Sequence, residues 1–91
     1  MNSELRRPLL VPHARYRWDQ LRQQHQLLFP EGILVLNESG AAIVQLCDGR
    51  PLDGLLAALS ARFPEAQLGD DVRGFLERLA RKGLVRDAGP S

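Results

Sequence analysis

The sequence predicts an α+β domain, winged-helix-like: a three-stranded antiparallel sheet followed by three helices. Three observations carry this. Ala14-Arg15-Tyr16-Arg17-Trp18 alternates with period two, the mark of a half-buried strand. Two further short runs, His25–Phe29 and Ile33–Leu36, flank Pro30-Glu31-Gly32. There proline presets φ for the first central position of a turn, and Gly32 can take the left-handed conformation that closes it. Beyond Asn37 the apolar residues change to helical spacing, at Leu52, Leu55, Leu56, Leu59 and Phe63, and again at Val72, Phe75, Leu76, Leu79 and Ala80.

Residues 1–12 hold two prolines and an Arg6-Arg7 pair and read as an extended N-terminal arm. Leu9, Leu10 and Val11 make a sticky patch in it. The patch needs cover, from this domain's own sheet or from a second copy, so exchange of arms in a homodimer is one expectation. Residues 13–87 form the single domain, and residues 88–91 a frayed tail. In the first strand Tyr16 and Trp18 are expected to face the core and Arg15 and Arg17 the solvent. Short connections to the second and third strands predict a meander. Asn37 supplies a side-chain oxygen for the free amides of a helix over Glu38–Cys47, with Ala42, Ile43 and Leu46 on one stripe. Asp48-Gly49 stops that helix. Pro51 opens the second and Pro64 closes it. The third starts near Asp70, carries Arg81-Lys82 in its last turn, where cations suit the helix dipole, and ends at Gly83. Leu84-Val85 adds a short extended tail.

Ninety-one residues make one domain with room for a thin core and little else. A net charge of +1 gives no electrostatic pull toward nucleic acid or an anionic membrane, so neither is expected as a partner. One cysteine excludes an internal disulfide and a protein-only iron–sulfur or cysteine-rich zinc site. The N-terminal residues lack the apolar core of a signal peptide, and no apolar run approaches the ~20 residues that span a bilayer, so the cytoplasm is the expected location.

Catalytic chemistry is sparse. His13 and His25 have no sequence-adjacent acid or thiol and read as surface or edge residues. Cys47, near a helix C-terminus, reads as a buried inert thiol. Asp70-Asp71 reads as a cap and a first-turn acid, and Glu31 as a solvated turn residue. The eight glycines are scattered, with no phosphate-binding loop. A non-enzyme without metal or cofactor is expected. Tyr16 and Trp18 read as aromatics sealing the sheet, with stacking on a peptide as the alternative.

Several stretches carry a family resemblance. Leu27-Leu28-Phe29-Pro30-Glu31-Gly32, Leu36-Asn37, Leu46-Cys47-Asp48-Gly49, the helix Asp71–Leu79 and its exit Lys82-Gly83-Leu84-Val85 together resemble the pyrroloquinoline quinone (PQQ) biosynthesis protein D family, PqqD. The resemblance covers Pro12 to Val85. It implies a small non-catalytic protein that binds a ribosomally made precursor peptide. It further implies presentation of that peptide to a radical S-adenosylmethionine enzyme, which joins a Glu to a Tyr of the peptide.

The wholly apolar run Ile33-Leu34-Val35-Leu36 is either a plain buried strand or a sheet edge kept for a partner strand. The second reading gives a site. A peptide pairs with the edge of Ile33–Leu36 and drops side chains toward the third helix. Leu76 and Ala80 floor the groove there, and Arg73 on the rim pairs with an acidic peptide residue. The solvent face carrying Arg78 and Arg81 is the candidate surface for the partner enzyme. A rival reading is a winged-helix DNA-binding protein, which Arg73, Arg78, Arg81 and Lys82 on the third helix permit and the near-neutral charge disfavours. A second rival is a structural subunit packed permanently on an enzyme.

Overall fold

The computed structural model describes residues 5–64 and 69–89, so the start of the expected arm and the end of the tail lie outside the described residues. The chain runs β1 (Pro8–Leu10), β2 (Arg15–Asp19), β3 (Gln24–Phe29), β4 (Gly32–Leu36), α1 (Glu38–Gln45), α2 (Leu52–Arg62), α3 (Gly69–Arg81) and β5 (Val85–Asp87). The expected architecture is present: an antiparallel β2-β3-β4 meander followed by three helices. Among the described residues no helix is long and apolar enough to cross a membrane.

The meander is held in register by its turns. Phe29 pairs with Gly32 across Pro30-Glu31, and Leu27 with Leu34; Gly32, expected in a left-handed conformation, instead has negative φ as the first residue of β4. At the other hairpin the Asp19 carboxylate accepts the Leu21 and Arg22 N–H groups, and Gln23 takes a left-handed φ of 54°. Burial opposes ionisation of Asp19, but hydrogen bonds from Arg22 and the Arg17 charge outweigh it and hold the carboxyl below its usual range. Gln26, also buried, donates to the same carboxylate at 3.0 Å.

Because side chains alternate across a strand, the pairing sorts them onto two faces. Tyr16, Leu27, Leu34 and Leu36 turn toward the helices, with Leu27 and Leu36 buried. Arg15, Arg17, Ile33 and Val35 turn to solvent. Trp18 differs from expectation. It shares the inner parity with Tyr16 but is 44% exposed, leaning edge-on against the His25 ring at 4.8 Å. Alternation assigns a face; it does not ensure that a helix covers that end of it.

Asn37 caps α1, its Oδ1 accepting from the Gly40 N–H at 2.7 Å. Five consecutive residues of α1, Gly40 to Val44, are buried, more than the single stripe the periodicity predicts. This helix is central, and its small residues let neighbours approach from several sides. Leu55 and Leu59 of α2 and Val72, Leu76 and Leu79 of α3 complete the core. Past α3, Gly83 adopts φ 76°, the Gly83 N–H bonds the Ala80 carbonyl and the Leu84 N–H bonds the Leu79 carbonyl, a Schellman closure.

A second, two-stranded ribbon is an addition to the expected fold. β1 pairs antiparallel with β5, matching Pro8 to Asp87 and Leu10 to Val85. The Leu10 N–H donates to the Cys47 carbonyl and the Val11 N–H to the Leu84 carbonyl, both at 2.9 Å. In this chain the cover over the Leu9–Val11 patch is thus β5 and the exit of α1, rather than the three-stranded sheet.

Candidate functional site

β4 is an edge strand: β3 pairs with one side of it, and among the described residues no strand pairs with the other. In an antiparallel strand every second residue aims its N–H and C=O away from its partner, so the outer rim of β4 offers main-chain donors and acceptors. Its exposed side chains are apolar, Ile33 at 55% and Val35 at 57%. Such a rim lacks the charge or proline that usually blunts a sheet edge. The plain buried strand is therefore not what the fold makes of this run.

Between β4 and α3 lies an open cleft of about 880 Å³. Leu34, Val35 and Leu36 line its strand side, and Ile43 of α1 contributes to its apolar lining. On the helix side the lining is Val72, Phe75 and Leu79. A Cβ on Gly40 would stand 3.0 Å from Asn37 Oδ1, tighter than side chains ordinarily sit, and in ordinary contact with the Phe75 ring at 3.4 Å. The Arg78 guanidinium carbon lies 5.7 Å from the Phe75 ring centroid, a cation–π arrangement that holds this charge over the apolar floor.

The expected site residues fall into two groups. Leu34, Val35, Leu36, Arg78 and Arg81 line the cleft. Ile33 stands exposed on the same strand, outside the lining. Leu76 is buried and turned to another side of α3, where it meets Leu5, Leu52 and Arg73 around a small void. Ala80 also lies outside the lining. The helix floor is thus Phe75 and Leu79, each one residue before the expected Leu76 and Ala80. One residue is about 100° around a helix, so both pairs fit the same broad apolar stripe. Only the packing of α3 decides which edge of that stripe faces β4. Phe75, the largest apolar side chain of the stripe, was the available signal.

Other polar groups lie away from the cleft. The Cys47 thiol is buried, donates to the Ile43 carbonyl, and is pushed up to about 12 by burial and the neighbouring Asp48 charge. It holds no thiolate near neutrality. Asp48 itself is brought down to about 2 by the hydrogen bond from Arg50. His25 gains a partner that sequence adjacency did not show: Glu38 Oε2 lies 3.1 Å from its Nε2, while Tyr16 Oη lies 2.7 Å from its Nδ1. Among the described residues no three potential ligands gather as a metal site would need.

The family model described as Coenzyme PQQ synthesis protein D (PqqD) matches residues 24–85, from β3 into β5. The chain belongs to the PqqD family. It is 40% identical over 89 residues to a Rhodopseudomonas palustris (strain TIE-1) protein named PqqA binding protein, a match covering 94% of this chain and 87% of the relative. A Methylococcus capsulatus protein of the same name is 35% identical over 79 residues, covering 86% and 85%. One from Klebsiella pneumoniae is 45% identical over 65 residues, covering 69% and 71%. The solution structure of the PqqD truncation of Methylobacterium extorquens PqqCD superposes with a TM-score of 0.74 at 26% identity, over 88% of each chain. That truncation is described as a functional, stand-alone recognition element for ribosomally synthesized and post-translationally modified peptides.

Proposed function

We propose that this PqqD-family chain binds the PqqA precursor peptide in PQQ biosynthesis and presents it to a radical S-adenosylmethionine enzyme of the same pathway. The observation that carries the reading is the apolar rim of β4 facing α3 across an open cleft. The peptide joins the sheet as a fourth strand. Main-chain hydrogen bonds along β4 supply sequence-tolerant affinity, and alternate side chains supply specificity. One row of peptide side chains enters the cleft over Phe75 and Leu79. The other row lies beside Ile33 and Val35 on the open face, where directly opposed apolar pairs add to strand pairing.

An adapter fits these residues better than a catalyst does. Cys47 is buried and protonated. His25 sits between Tyr16 and Glu38, away from the cleft lining. Arg78 and Arg81, expected on an enzyme-docking face, line the peptide cleft instead, and we assign them to the peptide. Titration with the PqqA peptide, followed by amide shifts, tests the site. Shifts centred on β4, Phe75 and Leu79 are expected. Shifts centred on Arg15–Asp19, or none at saturation, overturn it.

A further inference from the structure

The β2–β3 hairpin begins at the sheet edge opposite β4, and its shape is fixed at a local cost. The buried Asp19 carboxylate accepts the Leu21 and Arg22 N–H groups, the Arg22 guanidinium at 3.1 Å and the Gln26 side-chain amide at 3.0 Å. The Arg17 guanidinium stands 3.8 Å from it. Gln26 Nε2 donates to both Asp19 and Gln24, but its buried Oε1 has no hydrogen-bond partner among the described residues, a costly arrangement. Gln23 holds a φ of 54°, uncommon outside glycine, and its side chain ties back to the Gln20 carbonyl at 2.8 Å. What this rigid turn holds out is apolar: Leu21 is 94% exposed, and Trp18 beside it is uncovered. Arg15, Arg17 and Arg22 share the hairpin with a single acid, Asp19, whose charge Arg22 and Arg17 already meet.

Resting on the peptide-capture and presentation reading above, we infer that this hairpin is where a folded, acidic protein partner docks while β4 holds the peptide. Leu21 enters an apolar pocket of the partner, Trp18 packs beside it, and Arg17 and Arg22 meet carboxylates on the pocket's rim, with Arg15 extending the same charge along β2. Trp and Arg are the side chains that dominate interface energetics, and a turn already held in one shape loses little freedom on binding. The partner is a folded protein rather than a second strand, because Arg15 and Arg17 place charge on the β2 edge, which discourages strand addition, whereas β4 carries none. β3 separates the two edges, so partner and peptide occupy the domain together. The enzyme that receives the peptide needs that arrangement, and Arg78 and Arg81, which line the cleft, leave this surface to it.

The radical S-adenosylmethionine enzyme of the pathway, as holoenzyme, is the probe. Added to the peptide-loaded chain, it is expected to broaden the amides of Trp18, Leu21 and Arg22 and to leave the peptide-induced shifts of β4 in place. Leu21→Asp, at a side chain standing in solvent, should weaken enzyme binding at least about tenfold, the scale of losing an interface anchor, with peptide affinity and melting temperature unchanged. The Arg15→Gln, Arg17→Gln double variant should weaken it at low salt, and added salt should narrow its difference from the native chain. Native enzyme affinity in Leu21→Asp, or broadening centred on α1 or α2, overturns the docking surface and leaves peptide capture standing. Co-sedimentation of the native chain with phosphatidylglycerol vesicles, lost in Leu21→Asp while enzyme affinity is kept, assigns the hairpin to a lipid surface and overturns it too. No binding of the native chain to the enzyme overturns docking and presentation together, and peptide shifts centred on the hairpin instead of β4 overturn capture as well.

Discussion

The Asn37 carboxamide accepts a 2.7 Å hydrogen bond from the Gly40 N–H at the point where the open edge strand becomes the central helix. One short side chain thus closes the strand and starts the helix, and a Cβ on Gly40 would crowd its Oδ1 at 3.0 Å. Asn37→Ala removes the acceptor and should cost about 1 kcal/mol. In a domain of this size that lowers the melting temperature by roughly 4–8 °C. Thermal unfolding followed by circular dichroism checks it; an unchanged midpoint counts against the cap.

Neighbouring residues of α3 should separate binding from stability. Phe75→Ala strips the cleft floor and should weaken peptide binding at least about tenfold, the scale of losing a buried aromatic contact. Leu76→Ala opens a cavity in the core and should destabilise the fold by about 2–5 kcal/mol. Calorimetric titration and chemical denaturation of both variants give the comparison. If Leu76→Ala is the stronger binding defect at a temperature where both are folded, α3 is rotated from the orientation described.

The Asp48–Arg50 pair predicts a pH window. The folded pKa of Asp48, about 2, lies below its ordinary value of 3.8. The carboxylate therefore stabilises the fold above pH 4, and the contribution is lost as pH falls through the folded pKa. Asp48 is half exposed, so screening by solvent keeps its worth below about 1 kcal/mol. The stability gap between the native chain and Asp48→Asn should be constant near neutrality and close between pH 4 and pH 2. A gap that widens on acidification contradicts the pair.

Cys47 should be silent to thiol reagents in the folded protein. Its thiol is 4% exposed and pushed up to about 12, so both access and thiolate fraction are low. Colour development with an aromatic disulfide reagent is expected to follow unfolding rather than pH between 7 and 9. Rapid labelling of native protein at neutral pH would contradict the burial.

Local devices were readable from residue order because their physics is local. Asn37, Pro30-Glu31-Gly32 and Gly83 act on backbone within a few positions, and each punctuates the chain where expected. The apolar edge run was readable too, though not its choice between burial and exposure. Pairing of Pro8–Leu10 with Val85–Asp87 was not, since two three-residue strands at opposite ends carry little period and meet only after the helices pack. The Glu38–His25 contact and the uncovered Trp18 likewise depend on where α1 lies across the sheet.

Amino-acid order settled the number and sequence of the main strands and helices and the apolar character of β4, because propensity, capping and periodicity are short-range. Packing alone settled which edge of the α3 stripe faces β4, and with it a cleft built on Phe75 and Leu79 and rimmed by Arg78 and Arg81. A broad apolar stripe satisfies burial at several rotations, and the packing of Val72, Leu76 and Leu79 into the core selects one.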